Sequence, residues 1–320
     1  MIVESDFQPA WWLPGPHLQT LWPTFCRLRP RLDLTREQVE LPDGDFLDLA
    51  WGPLRDGPLV LVLHGLEGSI RSHYAGGMLH TLAQAGFQAV LMHFRGCNGR
   101  PNRLPRSYHS GETGDLQQVI ERLAPRGPVA AVIGFSLGGN VLLKWLGERG
   151  GRAGIEAAVA ISVPFRLDDA ARRLERGFSR LYRGHLLRKL RASYRRKFSG
   201  MPSPLAPLEV GSLRSFRAFD DRVTAALHGF AGVDDYYGRC SSRQYLKDIR
   251  VPTLILHARD DPFMYPATVP AAGELSAPTT LELARHGGHV GFVAGRLPWR
   301  ARYWLEGRCV AFLVQRLMHG

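Results

Sequence analysis

One pentapeptide, Gly134-Phe135-Ser136-Leu137-Gly138, constrains this chain more than any other stretch. It fits G-x-S-x-G, and its neighbours give the pattern meaning. Before it runs Pro128-Val129-Ala130-Ala131-Val132-Ile133, short, apolar and rich in small and β-branched residues. That is the composition of a strand buried on both faces of a parallel sheet. After it, Leu137 to Leu146 read as a helix packed on that sheet. A serine on the sharp turn between strand and helix is a nucleophile elbow, which lifts the hydroxyl clear of the sheet. Gly134 and Gly138 suit the turn because a Cβ at either place would collide. The helix N-terminus adds free N–H groups that favour developing negative charge. Without partners for Ser136, the same letters describe an ordinary glycine-rich turn.

The surrounding pattern supplies the sheet. Strands are predicted over residues 59–63, 88–93, 129–133, 156–162, 251–257 and 279–283, with helices over 74–85, 112–124 and 300–318. Strand–helix alternation of this kind means a mostly parallel sheet with helices on both faces. A hairpin comes first, residues 37–40 and 46–51 joined through Pro42-Asp43-Gly44. Residues 1–31 read as an arm. Pro9, Pro14, Pro16, Pro23 and Pro30 oppose a long helix or central strand, while Phe7, Trp11, Trp12, Leu18, Leu21, Trp22 and Phe25 are too apolar for a free tail. The arm should lie across the main domain, residues 32–320, and bury those rings.

Between about residues 163 and 247 the alternation stops. Residues 171–198 read as helical throughout, with Gly177 and Gly184 as places to break. Leu174, Phe178, Leu181, Tyr182, Leu186, Leu190, Tyr194 and Phe198 form an apolar stripe at helical spacing. A basic face runs opposite, from Arg172 and Arg173 to Arg195, Arg196 and Lys197. A helical insertion between sheet strands is expected to be a lid over the catalytic edge.

That basic face bears on partners, since the net charge is +12. Such a balance could attract nucleic acid, anionic lipid or acidic substrates. No recognised nucleic-acid module accompanies it, which argues against the first. A basic amphipathic helix can rest on an anionic membrane, so peripheral contact through the lid is a second reading of the insertion. No long uncharged apolar run spans a bilayer, and the acidic start, Met1 to Asp6, lacks the layout of a secretory signal. Cys26, Cys97, Cys240 and Cys309 are widely spaced, with no C-x-x-C pair. The expectation is free buried thiols in a reducing cytoplasm.

A serine hydroxyl needs a base, and the base needs an acid to fix its tautomer. In a sheet of this kind they follow in the order serine, acid, histidine, on loops beyond strand C-termini. The predicted strand 251–257 runs into Ala258-Arg259-Asp260-Asp261-Pro262-Phe263, where Asp261 is the chosen acid and Asp260 braces the turn. The strand 279–283 runs into Arg285-His286-Gly287-Gly288-His289, where His289 is the chosen base and His286 lies outside the reaction. An oxyanion hole would use the amide of Leu137, after the nucleophile, and that of Leu66 in His64-Gly65-Leu66-Glu67-Gly68. This chemistry needs neither a metal nor an organic cofactor.

These stretches together resemble the α/β-hydrolase superfamily, and within it the YheT-like esterase family, related to animal lipases and acylglycerol hydrolases. The resemblance also rests on His17-Leu18-Gln19-Thr20, Arg95-Gly96-Cys97-Asn98-Gly99, Tyr108-His109-Ser110-Gly111, Phe219-Asp220-Asp221 and Asp235-Tyr236-Tyr237. It implies the α/β-hydrolase fold and a serine-dependent hydrolase of small-molecule carboxylic esters. It maps the triad onto Ser136, Asp261 and His289. Acyl transfer, or cleavage of a thioester or amide, would use the same three residues. Arg95, Asn98, Tyr108 and His109 are read as ties for a long loop.

Overall fold

The computed structural model describes residues 1–318. Its centre is a nine-stranded sheet in the order β1-β9-β8-β7-β6-β4-β5-β3-β2. In chain order these are β1 (Ile2–Glu4), β2 (Thr35–Glu40), β3 (Phe46–Trp51), β4 (Leu59–Leu63), β5 (Gln88–His93), β6 (Val129–Phe135), β7 (Ala157–Ile161), β8 (Thr253–Ala258) and β9 (Thr279–Ala284). The β2–β3 hairpin joins the edge antiparallel through β3 and β5, and every other pairing is parallel. Short β10 (Val293–Ala294) and β11 (Arg302–Tyr303) pair separately.

The apolar runs explain the layering. Successive side chains of a strand face opposite ways. In β4, Leu61 and Leu63 join one core with Val132, Leu142 and Trp145, whereas Val60 and Val62 join the other with Leu79, Phe87 and Leu313. The first core is covered by α3 (Thr113–Leu123) and α4 (Leu137–Arg149), the second by α2 (Ala75–Gln84) and α10 (Trp304–Leu317). Both faces are dry, so the central strands need apolar residues at every position rather than at alternate ones.

The first 31 residues depart from their expected form. They contribute an edge strand, since β1 pairs parallel with β9, and a helix, α1 (Pro16–Cys26). Pro16 at the start of α1 fills a position where an N–H has no partner to lose. Pro23 lies inside the helix, against the simple rule, because the surrounding contacts outweigh one missing bond. Phe7, Ala10 and Leu13 are buried, and Trp12 packs edge-on against Trp22. Trp11 and Phe25 each remain 77% exposed, so not all of the rings are covered.

Between β7 and β8 lie α5 (Leu167–Arg173), α6 (Ser179–Phe198), α7 (Phe216–Phe219), a π turn (Asp220–Ala225) leading into α8 (Ala226–His228), and α9 (Val233–Cys240). The stretch 171–198 is thus two helices, broken where Gly177 adopts φ +53°. Tyr182, Leu187, Tyr194 and Phe198 are buried in the insertion's own core, while Phe178 and Leu181 of the expected stripe are exposed. Lys197, assigned by pattern to the solvent face, is buried. All four cysteines are free; Cys240 and Cys309 are buried, but Cys26 is exposed rather than buried. Among the described residues no helix is long and apolar enough to cross a membrane.

Candidate active site

Parallel strands end at one rim, and three of them deliver the predicted side chains there. Ser136 follows β6 and opens α4, with φ at +51°. Its N–H donates to the carbonyl of Ile161 at 2.8 Å, and its carbonyl accepts from Asn140 N–H at 3.0 Å. A Cβ on Gly134 would lie 2.5 Å from the carbonyl oxygen of Gly138, and one on Gly138 would lie 2.6 Å from that of His64. These are backbone collisions that nothing flexible can relieve, so the elbow requires glycine at both places.

Asp261 follows β8 and is buried. One carboxylate oxygen accepts Phe263 N–H at 2.8 Å; the other meets His289 Nδ1 at 2.8 Å. The carboxylate can only accept, so Nδ1 carries the proton and Nε2 keeps its lone pair. Nε2 lies 3.0 Å from Ser136 Oγ. The ring of Phe263 stacks flat on the His289 imidazole, centroids 3.9 Å apart and planes 4° from parallel. The structure therefore brings Ser136, His289 and Asp261 into one hydrogen-bonded chain.

The loop carrying His289 is gripped from two sides. Thr20 Oγ1 accepts His289 N–H at 2.9 Å and donates to the Pro16 carbonyl at 2.7 Å. Gln19 accepts from Val293 N–H at 2.7 Å and donates to the Val293 carbonyl at 3.1 Å. Ser162, at the end of β7, accepts Val290 N–H at 3.0 Å. Ser162 and Val290 both hold positive φ, as does Phe292. Gln19 thus ties the N-terminal residues to this loop; sequence reasoning gives no role to Thr20 or Ser162. The short motif His17-Leu18-Gln19-Thr20 was the available signal for Thr20. Nothing local marks Ser162, whose partner lies 128 residues away.

Leu66 and Leu137 line the same cleft as Ser136. The amide before Leu66, that of Gly65, donates to Tyr74 Oη at 2.8 Å, and the amide after it, that of Glu67, donates to Tyr108 Oη at 2.7 Å. Among the described residues, the Leu66 N–H has no protein acceptor. Leu137, the first residue of α4, has no intrahelical acceptor for its own N–H. His64 sets the turn. Its Nδ1 donates to the Gly65 carbonyl at 2.7 Å, while Nε2 accepts Phe94 N–H at 3.1 Å. Complete burial lowers its pKa to about 3, so the ring stays neutral and this pair of bonds is constant.

The rejected alternatives also find places. Asp260 accepts Gly288 N–H at 3.0 Å and meets His286 Nδ1 at 3.2 Å, bracing the loop. Arg95 is buried in ion pairs with Asp45 and Asp115, Asn98 donates to Asp48, and Tyr108 donates to Glu67 at 2.9 Å. His109, Glu112 and His228 bring potential ligand atoms within 4.8 Å of one another. Gly111 N–H already donates to His109 Nδ1, and the Arg106 guanidinium pairs with Glu112, so a cation there would meet a competing positive charge. A cleft with about 1270 Å³ of unfilled space, open mouth included, lies between the insertion and the rim. Leu174, Leu190, Phe216 and Val223 line it on the insertion side, and Ser136, Leu66 and His289 on the sheet side.

Residues 58–295 match the family model described as the alpha/beta hydrolase fold. The chain belongs to the α/β-hydrolase family. It is 41% identical to YheT of Escherichia coli (strain K12), an esterase by name, over 98% of this chain and 94% of that protein. It is 29% identical to human phospholipase ABHD3 over 94% of this chain and 77% of that one. Monoacylglycerol lipase of Saccharomyces cerevisiae is 31% identical over 79% of this chain and 58% of its own length. The fold is shared with the Pyrococcus furiosus esterase Pf2001, at TM-score 0.58 and 17% identity, covering 91% of this chain and 98% of that one. This α/β-hydrolase is thus of the YheT-like esterase group, and the relatives named above carry esterase, phospholipase and lipase names.

Proposed function

We propose that the chain is a serine hydrolase of carboxylic esters, working through Ser136, His289 and Asp261. The observation that carries this reading is the unbroken chain Ser136 Oγ, His289 Nε2, His289 Nδ1, Asp261 Oδ2, at 3.0 and 2.8 Å. In the reaction, Ser136 Oγ attacks the ester carbonyl carbon while Nε2 takes its proton. The carbonyl oxygen becomes an oxyanion and is held by the amides of Leu66 and Leu137. As the tetrahedral intermediate collapses, His289 returns the proton to the departing alcohol. Water then attacks the acyl-enzyme by the same route and releases the acid. Asp261 stabilises the imidazolium and holds its orientation throughout. The apolar cleft walls favour a hydrophobic acyl or alcohol group. Within this reading the insertion is a lid, and free thiols accord with a cytoplasmic setting.

Purified Ser136→Ala should lose turnover of p-nitrophenyl esters by about 10⁴-fold or more, with unchanged circular dichroism. A fluorophosphonate probe should label wild-type protein at Ser136. Retained turnover in the variant, or labelling elsewhere, would defeat the proposal.

One observation favours a second feature of the same enzyme. Phe178 and Leu181 are exposed on the insertion amid Arg172, Arg176, Arg180 and Arg188. Apolar side chains among cations suit the surface of an anionic bilayer. On this reading the protein sediments with vesicles containing phosphatidylglycerol and less so with neutral ones, and added salt weakens the association. Equal sedimentation with both would count against it.

A further inference from the structure

Lys197 lies in the last turn of α6, and its side chain turns inward. It is 8% exposed and lines the cleft that also holds Ser136. An ammonium group offers three donors. One goes to Oδ1 of Asn102. Among the described residues no carboxylate comes within ion-pairing distance of Nζ, and no second acceptor is bonded to it. Asp45 is the carboxylate whose field reaches the group, but it is already engaged. It pairs with Arg95 at 2.8 Å and accepts the N–H groups of Arg103 at 2.8 Å and Phe46 at 3.0 Å. Asn102 passes no free acceptor on, because its amide nitrogen donates to Asp45 at 2.5 Å and to the Arg106 carbonyl at 2.8 Å.

A buried ammonium with spare donors is costly unless something supplies the missing negative charge. Burial pushes its pKa down to about 8, which still leaves it largely charged at neutral pH. Nearby walls of the cleft, Leu190, Tyr194, Phe198 and Phe216, offer no anion. Two carboxylates do line the cleft elsewhere, and each is bonded by hydroxyls. Glu67 accepts from Tyr108 and Ser193, and Asp220 from Tyr237 and Thr224. The cation is therefore left for whatever occupies the cleft.

We propose that Lys197 binds a negatively charged group of the substrate, a phosphate or a carboxylate carried on an otherwise apolar ester. The proposal rests on reading the cleft as an ester-hydrolase site and narrows its substrate class. The anion has two sources, a phosphate headgroup on the alcohol side or a carboxylate at the far end of the acyl chain.

Binding is measured first, so that the result does not depend on turnover. Wild-type protein should bind decyl phosphate at least tenfold more tightly than decanol in calorimetry. Lys197→Met should bring the two within about twofold, and Lys197→Arg should keep the preference. No preference in the wild type, or its survival in a folded Lys197→Met, overturns the proposal. Should Lys197→Met fail to fold, the wild type decides alone. Decyl phosphate must then shield Lys197 from acetylation by an N-hydroxysuccinimide ester, read by mass spectrometry, and decanol must not. Hydrolysis locates the source. Lysophosphatidic acid is compared with the monoacylglycerol of the same chain, and the mono-p-nitrophenyl ester of dodecanedioic acid with p-nitrophenyl dodecanoate. A tenfold kcat/KM advantage for the anionic member assigns the alcohol side in the first pair and the acyl side in the second. Turnover with no advantage in either pair overturns the assignment. Selective binding of decyl phosphate without any ester turnover would sink the hydrolase reading and leave the anion site standing.

Discussion

Ser136 shows how one residue stores strain for a purpose. Its φ of +51° places an L-residue where glycine is at ease. Such conformations cost on the order of 1–3 kcal/mol and persist where the surroundings over-determine them. Here the Ser136 N–H is tied to Ile161 and the glycines on either side permit the close approach. Ser136→Gly should therefore be more stable than Ser136→Ala by about 1 kcal/mol in urea unfolding, although both lack the hydroxyl. Equal midpoints would show that the elbow is not strained. The identity of the serine was legible from five letters, because the turn needs glycine at fixed offsets. The positive φ of Ser162 and Val290 was not legible, since it is imposed by packing against residues far away in the chain.

Among the elements, α1 has the largest effect for its size. It lies far from the sheet's centre in sequence, yet it holds the backbone of His289 through Thr20 and that of Val293 through Gln19. It also reaches the insertion, where His17 Nδ1 meets Tyr182 Oη at 3.1 Å and the His17 ring packs at a tilt against Phe178, centroids 4.4 Å apart. Thr20 touches no reacting atom, so it acts by position. Thr20→Val leaves a buried N–H unpaired and frees the loop. It should lower kcat by about 10- to 100-fold with KM little changed, because small misplacements of a catalytic base are costly. Thr20→Ser should restore the rate. A fall in KM-dependent terms alone, or no rescue by serine, would argue that α1 is only a packing element. The prolines pointed to an irregular arm, and they misled because their cost is local whereas the contacts that stabilise α1 come from the histidine loop. The stripe in 171–198 erred for a related reason. Periodicity specifies a helix face, but which face is inside depends on what the insertion packs against.

At the scale of the molecule, acid should unfold this protein through its histidines. His64 and His257 are fully buried, and burial lowers their pKa values to about 3 and about 4. In the unfolded chain each titrates near 6.5, so below that pH the unfolded state binds more protons. The stability they contribute is whole above pH 6.5 and is lost as pH falls toward 3 or 4. Each should remove about 1.4 kcal/mol per pH unit across that window. Urea midpoints measured from pH 7 to pH 5 should fall accordingly, and a flat profile would contradict the burial of neutral rings. The sequence alone determined the sheet apart from its edge strand β1, the order of serine, acid and histidine, and the loops that carry them. Those features are local, being set by apolar runs, turn residues and the few spacings that an elbow permits. Only the tertiary structure decided that α1 grips the histidine loop, that the Leu66 amide is left without a partner, and that Lys197 faces the cleft. Each of these depends on groups brought together from distant parts of the chain, and hydrogen bonds and buried charge act across space, where the order of residues carries no mark of them.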